Sequence, residues 1–185
     1  MKTTRRKQSG FTLLELLVTL AVSGALFAAG VPSFRTFMAN NRRASQTNQL
    51  LTALMRARSE AMRSSRDVSV CPSSDGATCV AGTAGWQVGW IVFLNGDGAN
   101  LASVDAGDEL LETFRPIGGT ASLRPSGAIR DVIAFRPTGS VVASGSLAWC
   151  DNRGATQGRT LTVRPSGGAM ISEDGASGGA ATCTP

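Results

Sequence analysis

The chain has 185 residues, of which 42% are hydrophobic, and it contains four cysteines but no histidine and no tyrosine. Those two missing residue types are common general acids and bases, and no serine lies in a nucleophile-elbow pattern, so the composition argues against an enzyme. The net charge of +5 comes mostly from four basic residues that precede residue 10, since the remaining 14 nearly balance the 13 acids.

The first 32 residues predict a membrane-spanning helix. A basic leader precedes Gly10, and an apolar run extends from Phe11 to Val31. As a helix this run would rise about 31 Å, which matches the hydrocarbon thickness of a bilayer. A secretory signal would have a shorter apolar core followed by a small-residue cleavage site, so ordinary signal peptidase is a poor fit to this segment. The positive-inside rule leaves the leader in the cytoplasm and places everything beyond Pro32 outside.

One acidic side chain, Glu15, lies within the apolar run. A carboxylate in hydrocarbon costs about 2.5 to 3.5 kcal/mol on insertion scales, which suggests a partner or a function. Phe11 lies one helical turn away and is close enough for local pairing. The alternative is a plain membrane anchor in which Glu15 reaches the nearby interface.

The order Gly10-Phe11-Thr12-Leu13-Leu14-Glu15 behind a short basic leader resembles the class III signal of type IV pilins and pseudopilins. The resemblance implies that a prepilin peptidase/methyltransferase cleaves between Gly10 and Phe11 and methylates the new amine of Phe11. It also implies that Glu15 meets the Phe11 amine of a neighbouring subunit during assembly. The implied partners are that peptidase, other major and minor pilins, and the inner-membrane assembly platform.

A second helical pattern follows the apolar run. Spacings of three, four and seven predict an amphipathic helix from about Ala44 to Ser65, with a stripe that packs on the globular domain: Leu51, Leu54, Met55, Arg58, Ala61 and Met62. Gly30 and Pro32 are expected to interrupt and kink the helix. The predicted organisation is a cleaved leader (1–10), a membrane and assembly helix (11–32), an amphipathic helix (33–66) and a β-rich head (67–185).

The head consists of short β-rich runs separated by glycine and proline. The predicted strands are Val68 to Cys71, Trp86 to Leu94, Glu109 to Phe114, Ala121 to Arg124, Val132 to Arg136, Ser146 to Cys150, Arg159 to Arg164 and Ala169 to Ser172. Four Arg-Pro-x-Gly tetrapeptides, which begin at Arg115, Arg124, Arg136 and Arg164, are predicted to be turns that close strands.

Several head segments resemble the GspH/FimT domain of minor pilins and pseudopilins. They are Gly85 to Asn95, Phe135 to Gly139, and Cys150 to Gly154 together with Gly158-Arg159. With the N-terminal signal, the resemblance covers most of residues 11 to 171. It implies the α+β pilin fold, in which a long N-terminal helix packs on an antiparallel β-sandwich or two-sheet head.

The four cysteines indicate two disulfides in a chain exported to an oxidising compartment, with three pairings open. We favour Cys71–Cys79, which would staple a loop, and Cys150–Cys183, which would tie the Gly/Ser/Ala-rich tail back to a strand. Zinc is not expected, because no pair has CxxC spacing and no histidine is present. The loop from Asn95 to Gly98, followed by Asp105, Asp108 and Glu109, has oxygen ligands for calcium but lacks the EF-hand alternation. No cofactor and no metal are predicted.

Nucleic-acid binding is a weaker hypothesis. FimT-like DNA-binding pilins carry a Gly-Arg-x-Arg motif, whereas Gly158-Arg159-Thr160-Leu161 lacks the second arginine. The candidate DNA or anion contacts are Arg153, Arg159 and Arg164. From Asp67 onward eleven acids face seven arginines, and such a head repels phosphate.

The favoured function is a structural one. The chain is similar to FimU-like minor type IV pilins, which implies a subunit that helps to prime pilus assembly or links the tip complex to the shaft. The alternatives are a minor pseudopilin of type II secretion and a FimT-like DNA-binding pilin of natural transformation. The expected location is a Gram-negative inner membrane with a periplasmic head before assembly, and then a pilus filament or a pseudopilus. The chain between Phe11 and Arg66, which we call the stalk, has seven arginines and two acids, whereas the head is acidic. This difference favours head-to-stalk contacts between subunits.

Overall fold

The computed structural model describes residues 10–82, 85–96, 100–172 and Cys183. These residues form one long helix, α1 (Leu13–Ser64), and eight strands. The strands are β1 (Val68–Pro72), β2 (Trp90–Leu94), β3 (Glu109–Phe114), β4 (Ser122–Gly127), β5 (Ile133–Phe135), β6 (Gly145–Cys150), β7 (Arg159–Val163) and β8 (Ala169–Ser172). Two short 3-10 helices span Trp86–Val88 and Ala155–Gln157.

The chain divides into two compact units, one up to Arg42 and the other from Arg43 onward. Every buried residue of the described chain lies in the second unit, beginning with Thr47. The head therefore contains its complete hydrophobic core, and residues 43–185 carry the interactions needed to fold alone.

The prediction that Gly30 and Pro32 interrupt the helix is wrong, because α1 continues through both residues. Proline removes one backbone donor, but the turns on either side keep their own hydrogen bonds. Hydroxyl groups add local bonds here: Ser33 Oγ donates to the Ala29 carbonyl (3.5 Å) and Thr36 Oγ1 donates to the Pro32 carbonyl (3.2 Å). Such side-chain bonds help helices in apolar surroundings to tolerate proline.

The buried face of α1 in the head is rotated from the predicted stripe. Its buried residues are Thr47, Leu50, Ala53, Leu54, Ala57 and Ala61. Leu54 and Ala61 are confirmed, whereas Leu51 and Met55 are half-buried and Met62 is exposed. The three buried alanines let the helix backbone lie close to the sheets, so the longer side chains fall at the edge of the contact.

The head contains two antiparallel four-stranded sheets, with strand orders β3-β2-β1-β5 and β4-β6-β7-β8. Alternate residues of both sheets join the buried helix face in one core, in which Trp86, Trp90, Trp149 and Phe135 are the largest fully buried side chains. A second layer of buried residues covers the other face of β1 and β2, because Cys71, Ile91 and Phe93 pack there. The predicted α+β fold with a two-sheet head is confirmed.

All eight predicted strands are present, but three were predicted too long: the one that ends at Leu94 by four residues, the one from Val132 to Arg136 by two, and the one from Arg159 to Arg164 by one. The segment Trp86–Val88 is a 3-10 turn, and the strand begins only at Trp90. Gly89, with φ of +105°, separates them, and a Cβ at this position would lie 2.6 Å from the Phe114 carbonyl oxygen. Only glycine fits such a backbone in so close an approach.

Two of the four predicted Arg-Pro-x-Gly turns are confirmed. In both, the glycine N–H donates to the arginine carbonyl at 2.8 Å: Gly139 to Arg136 and Gly167 to Arg164. The prediction for residues 124–127 is wrong, because they lie within β4. That strand is an edge strand, where proline is tolerated. In residues 115–118, Ile117 N–H donates instead to the Gln87 carbonyl (2.9 Å).

A single helix side chain joins the two confirmed turns. Arg58 Nε donates to the Gly139 carbonyl (2.9 Å), and its Nη2 donates to the Ser166 carbonyl (3.1 Å). The turns also touch directly, since Val141 N–H donates to the Pro165 carbonyl (3.2 Å). We call this arrangement the Arg58 clamp. It ties α1 to one turn after β5 and another after β7, and so to both sheets.

Both disulfides in the structure join the pairs favoured from the sequence. Cys71 bonds to Cys79 and Cys150 bonds to Cys183, with Cα–Cα distances of 5.6 and 5.5 Å. Each bond fixes a surface segment to a strand: the first holds the loop after β1, and the second holds Cys183 to β6.

We expect the purified head to show both disulfides in non-reducing peptide mapping. Digestion should release one peptide pair that contains Cys71 and Cys79 and another that contains Cys150 and Cys183, with no cysteine alkylated before reduction. Alkylation of Cys183 without a reductant, or a peptide that joins Cys79 to Cys150, would contradict this pairing.

Candidate processing and assembly site

The helix begins directly after the sequence Gly10-Phe11. Thr12 is the N-cap of α1: its Oγ1 accepts the backbone N–H of Glu15 (3.2 Å), and its carbonyl accepts the N–H of Leu16 (3.2 Å). Glu15 therefore lies in the first turn, where the helix dipole favours a negative charge. The sequence analysis missed the role of Thr12, although Thr-x-x-Glu before an apolar run is the capping-box signature.

The bond between Gly10 and Phe11 lies in an open part of the chain. Gly10 is exposed, and Phe11 is 84% exposed. A Cβ built on Gly10 would meet no atom of the described residues within 4 Å, so their fold does not require glycine at this position. This geometry leaves the bond accessible to a peptidase.

The first half of α1 exposes apolar side chains on all sides. The helix contains an 18-residue window with a mean hydropathy of 2.0, none of which is buried. By length and composition, α1 is long and apolar enough to cross a membrane. Glu15 lies at the start of this surface, one turn after Phe11, where the sequence analysis placed it.

The three candidate DNA contacts lie before, at the start of and directly after β7. Arg153 forms an ion pair with Asp151, with 2.7 Å between Nη2 and Oδ2. Arg159 begins β7 on the face that carries the core residues Leu161 and Val163. Arg164 lies one residue beyond β7, at the start of the turn that ends at Gly167. Its Nη2 lies 2.9 Å from Met170 Sδ.

The candidate calcium loop is organised by Asp108. Its Oδ1 accepts the N–H of Gly96 (2.7 Å), and its Oδ2 accepts the N–H of Asp105 (2.9 Å). Asp97 and Gly98 lie outside the described residues. Within the described part of the chain, no three Cys, Asp or Glu side chains group together in a way that could hold a metal ion.

Asp75 organises the loop that the Cys71–Cys79 disulfide closes. The hydroxyl and backbone N–H of Thr78, the backbone N–H of Ala77 and the hydroxyl of Ser73 all donate to its carboxylate at 2.6 to 3.0 Å. These hydrogen bonds, with the Thr78 hydroxyl first, hold the pKa of Asp75 well below its ordinary value.

This lowered pKa predicts a loss of head stability in acid. Because the folded state prefers the charged carboxylate, Asp75 contributes its full stabilisation above the unfolded pKa of about 3.9 and loses it as the pH falls below that value. We expect thermal denaturation of residues 43–185 at pH 6 and pH 3 to show a smaller difference for Thr78→Val than for the wild type. Equal differences in the two proteins would contradict the assignment.

The comparisons with known proteins agree with this arrangement. A family model described as "Prokaryotic N-terminal methylation motif" matches residues 5–31. Two crystal structures of the type IV minor pilin FimU from Pseudomonas aeruginosa resemble the chain at 21% identity. One, in space group P21, has a TM-score of 0.59 and covers 80% of this chain and 99% of its own; the other, in P65, has a TM-score of 0.52 with 76% and 99%. No curated protein matches the chain in sequence.

The N-terminal signal, the apolar helix and the two-sheet head define a type IV pilin-like protein. The signal implies processing by a prepilin peptidase, membrane anchoring and partners among the pilins. The chain belongs to the family described as "Type II transport protein GspH", whose model matches residues 46–167. Members of this fold and family are structural pilins rather than enzymes.

Proposed function

We propose that this chain is a minor type IV pilin that helps to prime pilus assembly or links a tip complex to the shaft. The observation that supports this most directly is the likeness of the chain to FimU, a type IV minor pilin, over 80% of its length. The N-terminal methylation signal is the second support. Before assembly the protein spans the inner membrane of a Gram-negative bacterium once, with residues 33–185 in the periplasm.

Within this function we assign roles to three N-terminal residues, and their exposure and spacing support the assignment. Prepilin peptidase cleaves after Gly10, and the exposed Phe11 becomes the N-methylated first residue. Glu15 carries a charge in the first helical turn of an otherwise apolar surface. A neighbouring subunit's new amine is the partner that neutralises this charge during assembly.

A second candidate function comes from the family itself. The GspH family is described as a type II transport protein, which favours a minor pseudopilin of a type II secretion system. The same Phe11, Glu15 and apolar helix would act in a pseudopilus. The two functions differ in the machine that takes up the subunit.

A gene deletion tests these proposals. The deletion strain should lose surface piliation and twitching but keep protein secretion, and plasmid-borne wild type should restore both. A Glu15→Gln variant should be processed and methylated like the wild type yet fail to restore piliation. Loss of secretion with normal piliation would favour the pseudopilin instead, and no defect in either would overturn both.

The DNA-binding alternative has its own test. A soluble head of residues 43–185 should give no gel shift with duplex DNA at low salt, because Arg153 is paired with Asp151 and the chain from Asp67 onward has eleven acids against seven arginines. A shift that disappears in Arg159→Ala/Arg164→Ala and falls steeply with salt would support DNA binding.

A further inference from the structure

The hydrogen bonds at the start of α1 determine where the helix begins. The first backbone bond of the helix runs from the Leu16 N–H to the Thr12 carbonyl, at 3.2 Å. The preceding residue departs from this pattern, because the Glu15 N–H donates to the Thr12 hydroxyl oxygen, also at 3.2 Å. The helix accordingly starts at Leu13 and not further upstream.

The Glu15 N–H is also the donor that a longer helix would need. In an α-helix each N–H donates to the carbonyl four residues earlier, so a backward extension would join Glu15 to Phe11 and then Leu14 to Gly10. A helix grows from an existing turn by one bond per residue, so the Phe11 bond must form before the Gly10 bond. The Thr12 hydroxyl occupies the donor of the first of these bonds. It therefore stops the helix short of the Gly10–Phe11 bond.

The state of the Gly10 carbonyl matters for hydrolysis of this bond. Hydrolysis adds water to the Gly10 carbonyl carbon and breaks its bond to the Phe11 nitrogen, which leaves a Gly10 carboxylate and a Phe11 amine. Negative charge develops on the Gly10 oxygen during the addition, and the donors of an enzyme must reach that oxygen. A helical bond from the Leu14 N–H would already occupy it. In the capped chain both Gly10 and Phe11 are exposed.

A second threonine of the same apolar segment lacks this arrangement. The Thr19 hydroxyl donates to the Leu16 carbonyl at 2.9 Å, within the helix. It takes no backbone N–H away from the helical pattern, whereas the Thr12 hydroxyl accepts one. Thr19 is therefore a matched control for the loss of a threonine hydroxyl from this segment.

We propose that Thr12 is a positioning residue for prepilin processing. The inference rests on the proposed function, since it concerns the peptidase step of that function. Thr12 acts through the Glu15 N–H: by accepting it, Thr12 keeps the Gly10 carbonyl outside the helix and available to the peptidase. The side chain of Thr12 itself does not touch the reacting atoms.

Cleavage kinetics of the full-length chain in detergent, with a purified prepilin peptidase, test this role. Thr12→Val keeps the branched shape of threonine but is a poor N-cap. Its kcat/KM should fall about fivefold, a factor that converts to about 1 kcal/mol at 1.4 kcal/mol per tenfold. The loss should appear in KM with kcat unchanged, because only the fraction of substrate in the competent conformation falls. The 13C chemical shifts of Phe11 in the unprocessed chain should move toward helical values.

Two further variants separate capping from direct recognition by the peptidase. Thr12→Ser and Thr12→Asn are good N-caps and should be cleaved like the wild type, although asparagine has another shape and no hydroxyl. Thr19→Val should also be cleaved at the wild-type rate.

The order of the variants decides the inference. Wild-type cleavage of Thr12→Val, slow cleavage of Thr12→Asn, an equal loss in Thr19→Val or unchanged Phe11 shifts in Thr12→Val would each overturn it. None of these results touches the piliation of the deletion strain, so the proposed function would stand. A wild-type chain that the peptidase does not cleave would overturn both.

Discussion

Replacing Gly10 with valine should abolish maturation of the chain. The wild type, co-expressed with a prepilin peptidase, should lose residues 1–10 and gain one methyl group on Phe11. Gly10→Val should remain at full length, because the bulky side chain enters the peptidase site at the residue before the cleaved bond. Intact-mass measurement of the membrane-extracted protein distinguishes the two forms.

The open space around Gly10 allows this experiment to separate a processing defect from a folding defect. A Cβ at Gly10 meets no atom of the described residues within 4 Å, so a failure to mature would arise at the peptidase and not from misfolding. Gly30 is the matched control, since a Cβ there also meets nothing within 4 Å, and Gly30→Val should be processed normally. Full processing of Gly10→Val, or an equal block in Gly30→Val, would remove Gly10 from the proposed site.

The strands of the head were predictable because their signals are local. Short β-branched and aromatic runs between glycine and proline marked all eight strands, and two of them, Glu109–Phe114 and Ala169–Ser172, have the predicted bounds. The wrong predictions concern segments whose conformation depends on neighbouring strands rather than on their own residues. The tetrapeptide Arg-Pro-Ser-Gly forms a strand at residues 124–127 and a turn at 164–167, because only the first lies alongside β6.

The helix shows a similar division between local and distant causes. The spacing of its apolar residues predicted a buried face, but the position of that face depends on how the helix packs on the sheets. Ala53 and Ala57 are buried there, whereas Met55 is half-buried and Met62 is exposed. Pro32 carries a strong helix-breaking signal, yet one missing hydrogen bond does not end a helix of 52 residues.

The candidate site was located by its sequence motif, whereas the arginine hypothesis needed geometry. Gly10, Phe11 and Glu15 are consecutive parts of one segment, so their spacing alone placed them together. Arg159 and Arg164 are also close in sequence, but Arg159 begins β7 whereas Arg164 lies beyond its end, in a turn. The end of the strand before Arg164 and the pairing of Arg153 with Asp151 both required the structure.

Removing the Arg58 side chain should cause the largest loss of stability among the exposed and half-buried arginines of the helix. Arg58→Ala deletes two charge-assisted hydrogen bonds to the Gly139 and Ser166 carbonyls. Hydrogen bonds of this kind contribute about 1.5 to 3 kcal/mol each, so we expect the free energy of unfolding of residues 43–185 to fall by about 3 kcal/mol. That corresponds to a melting temperature roughly 10 °C lower.

Two matched variants on the same helix decide whether the clamp is the cause. Arg56→Ala removes an ion pair whose side chains are 66% and 31% exposed, and it should cost less than about 1 kcal/mol. Arg58→Lys keeps the charge but cannot span both carbonyls with a planar fork, so it should fall between the wild type and Arg58→Ala. Urea denaturation of the three variants gives the order. Equal losses for Arg56→Ala and Arg58→Ala would show that the two turns hold together without the clamp, through contacts such as the Val141 N–H bond to the Pro165 carbonyl.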